Sequence, residues 1–271
     1  AEEYIQKRCI NHALQGMYAL STEWIGTGEL RHPENTHWFG AHIGVTGRSG
    51  GGWQSIMLGA LDERVLAAAP VAGYLPAVSF GAVEHAGDNE QTATDLSMVA
   101  DYPALTAMRA PRPTLLIYNA EDNCCFRAPR MKTELFDRVK PFFALYGKES
   151  EFVWHENTDP GTHNYQRENR MVAYRFFAKC FGIPEVRQEA AVDGWIKSAQ
   201  ELAVGLPQDN LTLLGVARKL AEHATQARGS AARLREILRY KPVTVERAWM
   251  VANTKSKGIE THSYRFDFAN G

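Results

Sequence analysis

Residues 44–53 read GVTGRSGGGW, one serine among residues with little or no side chain. A serine hydroxyl is a poor nucleophile until it is exposed and a base takes its proton. Gly47-Arg48-Ser49-Gly50-Gly51 fits G-x-S-x-G, in which the serine tops a strained strand-to-helix turn with its hydroxyl clear of the backbone. Glycine reaches positive φ at little steric cost, so it gathers at such a bend. Glycine-rich turns are common, so the motif gains meaning only if the chain also supplies a base and an acid in the right places.

Four apolar runs supply those places. Residues 41–46 (AHIGVT), 65–71 (VLAAAPV), 113–119 (PTLLIYN) and 151–157 (EFVWHEN) predict buried strands. Helices are expected over 51–60, near 104–108, over 127–146 with a kink or break at Pro141, and over 164–181. Strands alternating with helices predict a mostly parallel sheet with helices on both faces. Reactive groups in such sheets gather beyond the carboxyl ends of the strands. Ser49 follows the first run, Asp122 lies beyond the third and His163 beyond the fourth. In those roles Ser49 attacks an acyl carbon and His163 removes its proton. Asp122 orients the imidazole and stabilises its cation. The His163 ring is then expected within hydrogen-bond reach of both Ser49 and Asp122.

The stretches GVTGRSGGG, APRPTLLIYNAEDNCCF and HENTDPGTHNYQRENRMVAYRFF make residues 1–183 resemble the α/β-hydrolases related to acetyl xylan esterases and dienelactone hydrolases. The resemblance implies an α/β-hydrolase fold and a serine hydrolase working through an acyl-enzyme without a cofactor. Its substrates would be small acyl esters or acylated carbohydrate. It implies the Gly50 N–H as one oxyanion donor, and Asp122 as the acid in preference to Glu121. The elbow holds serine where dienelactone hydrolases use cysteine, so thiol catalysis by Cys124 or Cys125 is not expected. The family's first strands have no counterpart here, nor does the early loop that gives the second oxyanion donor. The chain is therefore read as an internal piece of a longer, tandem-domain protein. A prolyl oligopeptidase-like serine peptidase shares the fold and triad order, and a non-catalytic hydrolase-like interaction domain is the reading from another class.

Arg48, Trp53 and Tyr74 are candidate substrate contacts, with core packing the competing reading for the two aromatics. The connection 73–101 is long, and its polar run 87–95 (GDNEQTATD) is expected to meet substrate. His155 lies within a strand and reads as structural, and His32, His37 and His42 lack a metal-binding spacing. Adjacent Cys124 and Cys125 are poorly placed to bridge each other, and no C-x-x-C occurs. The 30 basic and 31 acidic side chains nearly cancel, so neither nucleic acid nor an anionic membrane is implied as a partner. No apolar run approaches the roughly 18 residues of a membrane span. Localisation and oligomeric state stay open.

Past Pro184 the character changes. Residues 184–210 read as a linker, and 211–271 as a helical segment followed by a β-hairpin. Asp209-Asn210 is the expected cap of a helix from 211 to about 240, interrupted near 229–230, with Leu213, Leu214, Val216, Ala217 and Leu220 forming its apolar face. Two strands are expected about a turn at Lys257-Gly258. The segment is either the start of a second hydrolase domain or an accessory hairpin.

Overall fold

A computed structural model describes residues 3–19, 43–77, 91, 95–203, 205, 211–223 and 229–269. The chain forms two compact units, Ala1–Leu206 and Pro207–Gly271. The first runs α1 (Glu3–Leu14), β1 (Ile43–Arg48), α2 (Gly50–Leu61), β2 (Val65–Val71), α3 (Leu96–Val99), α4 (Tyr102–Ala107) and β3 (Thr114–Asn119). It continues through α5 (Ala128–Met131), a π-turn (Lys132–Phe136), α6 (Asp137–Ala144), β4 (Phe152–Asn157), α7 (Arg167–Phe181) and α8 (Ala199–Leu202). Residues 41–42, His32, His37, His42 and most of the 87–95 run lie outside the described residues.

The four strands form one parallel sheet in the order β1-β2-β3-β4, so spatial order follows chain order. Every residue of β3 is buried, which is why TLLIYN reads as a continuous apolar run. β1 runs further than expected, to Arg48, because Gly47 and Arg48 still pair with Pro70 and Val71. The carboxyl end of β1 thus sits directly beneath Ser49. Beyond β3, aromatic side chains fill the space under α6. Phe136 and Phe143 each stack on Phe152 at 4.6 Å, and Tyr118 stacks on Trp154 at 5.4 Å.

The opposite ends of the strands are tied by one arginine. Arg109 is wholly buried. It donates to the carbonyls of Gly59 (2.9 Å), Val65 (2.8 Å), Leu66 (3.0 Å) and Pro113 (2.9 Å), and to Thr114 Oγ1 (3.1 Å). A buried cation is tolerated when its donors are satisfied in this way. The guanidinium fork fastens the end of α2 and the starts of β2 and β3 to one point.

Two sequence expectations change here. The helix over 127–146 does not break at Pro141. It widens at the π-turn one turn earlier, and Pro141 lies inside α6. A π-turn absorbs a local misfit in the hydrogen-bond ladder without ending the helix. Nor do residues 185–202 hang free as a linker. Glu189 accepts from Arg170 (2.6 and 2.8 Å) and from the Tyr174 hydroxyl (3.0 Å), and Asn11 accepts from Ala190 N–H (2.9 Å). Gln6 exchanges bonds of 2.9 and 2.8 Å with the backbone of Lys197. These contacts clamp the segment onto α1 and α7.

The second unit has α9 (Leu213–Glu222), α10 (Ala231–Ile237) and a hairpin of β5 (Val245–Ser256) and β6 (Ile259–Phe268). The cap of α9 is Thr212, whose hydroxyl accepts from Gly215 N–H at 3.1 Å. Asp209 and Asn210 lie outside the described residues. α9 ends at Glu222, earlier than the interruption expected near 229–230, and Ser230 caps the start of α10. Lys257 (φ 50°) and Gly258 (φ 80°) both turn left-handed, the requirement of a two-residue hairpin loop.

His12 on α1 gives the first unit a pH-dependent stability. Its ring lies edge-on to Tyr174 at 4.8 Å and Phe177 at 5.7 Å, and neither nitrogen has a hydrogen-bond partner among the described residues. Burial, with Arg8 adding to it, pushes its pKa down to about 4 from 6.5. The unfolded chain therefore takes up a proton below pH 6.5 that the folded chain refuses until about pH 4. Stability should fall by roughly 3 kcal/mol across that window, from 1.36 kcal/mol per pKa unit. His12→Phe should remove that part of the slope, read from denaturant midpoints at intervals between pH 7 and 4. An unchanged slope would show that His12 is not the titrating group.

Candidate active site

The turn between β1 and α2 is built by backbone contact. A Cβ on Gly47 would lie 2.5 Å from the Gly51 carbonyl carbon, and one on Gly73 would lie 2.5 Å from Gly52 and from Trp53 N. A Cβ on Gly52 would lie 2.8 Å from Val71 O and from Gly73. α2 can start this close to β1 and β2 only because those positions carry no side chain. Ser49 then sits at φ 54°, ψ −122°, a region that L residues rarely adopt. It is held there by Ser49 N–H to Val71 O (3.0 Å) and by Trp53 N–H to Ser49 O (2.9 Å). A serine preceding a helix ordinarily spends its hydroxyl on capping. Ser49 does not, and its side chain makes no hydrogen bond among the described residues. Gly50 opens α2, so its N–H has no acceptor within the helix.

Asp122 lies in the turn after β3, with its side chain wholly buried. Oδ1 accepts three backbone N–H bonds, from Cys124 (3.0 Å), Cys125 (3.1 Å) and Phe126 (3.2 Å). Oδ2 accepts from His163 Nδ1 (2.8 Å) and from the Asn119 amide (3.2 Å). Burial alone would raise the Asp122 pKa. The bonds from His163, Asn119 and the backbone outweigh it and hold the carboxyl below its usual 3.8. The group is therefore an ionised acceptor at neutral pH, aimed at the imidazole. Glu121, by contrast, is three-quarters exposed, and its carboxylate lies 4.0 Å from Arg127. Of the two candidate acids, Asp122 alone faces His163.

The histidine loop is returned across the sheet to β1. Arg48 Nη1 meets the His163 carbonyl at 3.5 Å, and Thr46 Oγ1 bonds the Tyr165 hydroxyl at 2.6 Å. Asn123 fixes the His163 N–H at 2.9 Å, and Phe126 lies 6.0 Å from the ring. The side chain is largely covered, at 14% exposed. So His163 is bonded to the acid through its ring and to the residue before Ser49 through its backbone. The expected bond from imidazole to Ser49 Oγ is not formed. Such bonds in free enzymes are often long and tighten only around substrate.

Behind the pair is a cluster of amides that sequence reasoning did not single out. Asn119 Oδ1 accepts from Asn164 (3.3 Å) and Asn169 (2.9 Å). Asn157 Oδ1 accepts from Asn164 (3.1 Å) and from Gly161 N–H (3.0 Å), while its amide bonds the Glu168 carboxylate. All four asparagines are buried. Their one sequence signal is position: each lies at or just past a strand end, or in the first turn of α7.

Other candidates separate cleanly. Tyr74 is wholly buried, its hydroxyl 3.1 Å from Thr106 Oγ1, in keeping with the core-packing reading. Trp53 is half-buried and donates from Nε1 to the Tyr102 hydroxyl at 2.9 Å, which orients it inward. His155 is half-buried and lies 3.5 Å from Glu168, away from the acid and the elbow. Arg48 stacks over Tyr4 at 5.1 Å and lines a cavity of about 730 Å³ beside β1 with Arg8, His12 and Thr46. That cavity touches Gly47 and Gly51 but none of Ser49, Asp122 and His163. No group of His, Cys, Asp and Glu among the described residues is arranged to hold a metal, and no described helix is long and apolar enough to cross a membrane.

A parallel sheet in which a glycine-built elbow follows one strand, an acid the third and a histidine the fourth defines an α/β-hydrolase fold. No family model and no curated protein matches the sequence. Among solved structures the chain is similar to Methylesterase BT1017, at 19% identity and TM-score 0.43 over 65% of this chain and 34% of that one. It is similar to a carbohydrate esterase family 15 glucuronoyl esterase from Caldicellulosiruptor kristjansonii, at 18% identity and TM-score 0.41 over 60% of this chain and 49% of that one. An acylaminoacyl peptidase from Pyrococcus horikoshii is similar at 18% identity and TM-score 0.35, over 55% of this chain and 25% of that one. The chain thus spans between a quarter and a half of each of these proteins.

The glycine contacts separate the turn's real requirement from its motif. Gly47→Ala should destabilise by about 3 kcal/mol or more, because backbone stands where the methyl would go. Gly51→Ala meets nothing within 4 Å and should be neutral, or stabilising by up to about 1 kcal/mol from helix propensity. Denaturant midpoints of the two variants check this, and equal losses would contradict the geometry.

Proposed function

We propose that the protein is a serine hydrolase acting on carboxylic esters, with Ser49, His163 and Asp122 as nucleophile, base and orienting acid. The observation that carries the reading is the bond of 2.8 Å from His163 Nδ1 to a buried, ionised Asp122, in a loop tethered to the residue before Ser49. With Nδ1 committed to the acid, Nε2 is the nitrogen left to take the Ser49 proton. Proton transfer would accompany attack of Oγ on the acyl carbon. The imidazolium would then protonate the leaving alcohol, and water would release the acid by the same route in reverse. Gly50 N–H at the start of α2 is suited to the developing oxyanion, where the helix's positive end adds to the donor. We take small acyl groups, including those on carbohydrate, as the substrate class. We read residues 211–271 as the start of a further domain, because an isolated two-stranded hairpin is marginal in water and needs a partner surface.

The carboxylate assignment has a direct test on the whole protein. Asp122→Asn should leave the fold intact and cut ester turnover by roughly 10⁴-fold, the loss expected when an orienting acid no longer fixes the imidazole tautomer. Glu121→Gln should change turnover little. Reversed effects would move the acid role to Glu121. Assayed side by side, short acyl esters should turn over and peptide amides should not, and faster amide cleavage would favour the peptidase reading.

A further inference from the structure

Two thiols lie against the backbone that holds the acid. Cys124 Sγ and Cys125 Sγ face each other at 2.9 Å, although neighbouring cysteines were expected to bridge poorly. Cys125 is buried and Cys124 partly exposed. The N–H groups of the same two residues, with that of Phe126, are the three donors to Asp122 Oδ1. Neither side chain has a part in the hydrolytic mechanism.

We propose that Cys124 and Cys125 form an oxidation site for hydrogen peroxide, and that their disulfide loosens the backbone clamp on Asp122. The effect on catalysis rests on the reading of Asp122 as the triad acid. Cys124 gives up its proton and the thiolate attacks one oxygen of hydrogen peroxide, forming an S–O bond as the O–O bond breaks, and the departing hydroxide takes up that proton and leaves as water. The Cys125 sulfur then attacks the Cys124 sulfenic sulfur, forming S–S as S–O breaks. The Cys125 proton leaves with the hydroxyl as a second water. Two cysteine sulfurs are oxidised, and the peroxide is reduced to two waters. Cys124 is the attacking thiol because it is the more exposed, and Cys125 resolves the sulfenic acid because it is already in contact.

The link to the acid is geometric. Disulfides usually join Cα atoms about 4.4–6.8 Å apart. Adjacent residues stand about 3.8 Å apart across a trans peptide. Closing the ring must therefore twist the Cys124–Cys125 peptide, and that peptide carries one of the three N–H donors between the other two. A bridge strained in this way is also readily reduced, as a reversible switch requires.

The test treats the full chain with hydrogen peroxide and digests it with trypsin without reduction. The peptide ending at Arg127 holds Cys124 and Cys125 and neither of the other cysteines. It should lose the mass of two hydrogens, and dithiothreitol should restore them. Amide exchange at Cys124, Cys125 and Phe126 should quicken by about tenfold or more in the oxidised chain, as each loses its acceptor. Ester turnover should fall and return in step, and Cys125→Ser should abolish the loss of two hydrogens. The mass and exchange measurements decide the proposal even if the reduced chain proves to have no esterase activity, which would instead overturn the function proposed above. Sulfinic acid at either cysteine, a disulfide between two chains, or a Cys124–Cys125 bridge with unchanged amide exchange would each overturn it.

Discussion

One side-chain amide joins the parts of the site. Asn119 ends β3, donates to Asp122 in the acid loop, and accepts from Asn164 in the histidine loop and from Asn169 in α7. Three segments distant in sequence are thereby set against each other inside the protein, where water cannot replace a lost partner. A buried polar group left unsatisfied costs about 1–3 kcal/mol. Losing Asn119 would take one acceptor from Asn169, whose amide keeps its bonds to Asn164, and would weaken the hold on Asn164 and Asp122 as well. The position of His163 relative to its acid therefore depends on a residue that touches neither substrate nor the imidazole.

The other half of the site depends on absence of side chains. Gly47, Gly52 and Gly73 let the start of α2 press against the carboxyl ends of β1 and β2. That contact holds Ser49 in a backbone conformation costing about 1–3 kcal/mol, which only a rigid surrounding sustains. The two halves meet where Arg48 and Thr46 on β1 hold the histidine loop. Ser49 and His163 are thus located by the sheet, and neither relies on a bond between them.

Much of this was legible in the sequence. The four strands, the elbow and the order of Ser49, Asp122 and His163 follow from apolar runs and from residue types at their ends. Backbone periodicity and turn chemistry are local, so one chain suffices to read them. The amide cluster was not legible, because asparagines at loop positions read equally well as turn residues. Their convergence is a property of the folded chain. The facing of Tyr74 was not legible for a related reason: an aromatic in a long connection gives no sign of which way it faces. Glu189 shows the same limit, since one acid in a polar stretch does not reveal that Arg170 and Tyr174 wait for it. The Cys124–Cys125 contact depends on side-chain rotamers, which spacing alone does not fix.

The central claim is that Ser49 is a nucleophile made reactive by the Asp122-supported imidazole. Covalent labelling with a fluorophosphonate tests it most directly, because one stoichiometric event is read without any need for turnover. Peptide mass spectrometry should place a single phosphonyl group on Ser49, and His163→Ala should suppress that labelling while the chain stays folded. Labelling of a different residue, or equal labelling of Ser49 without His163, would contradict the account.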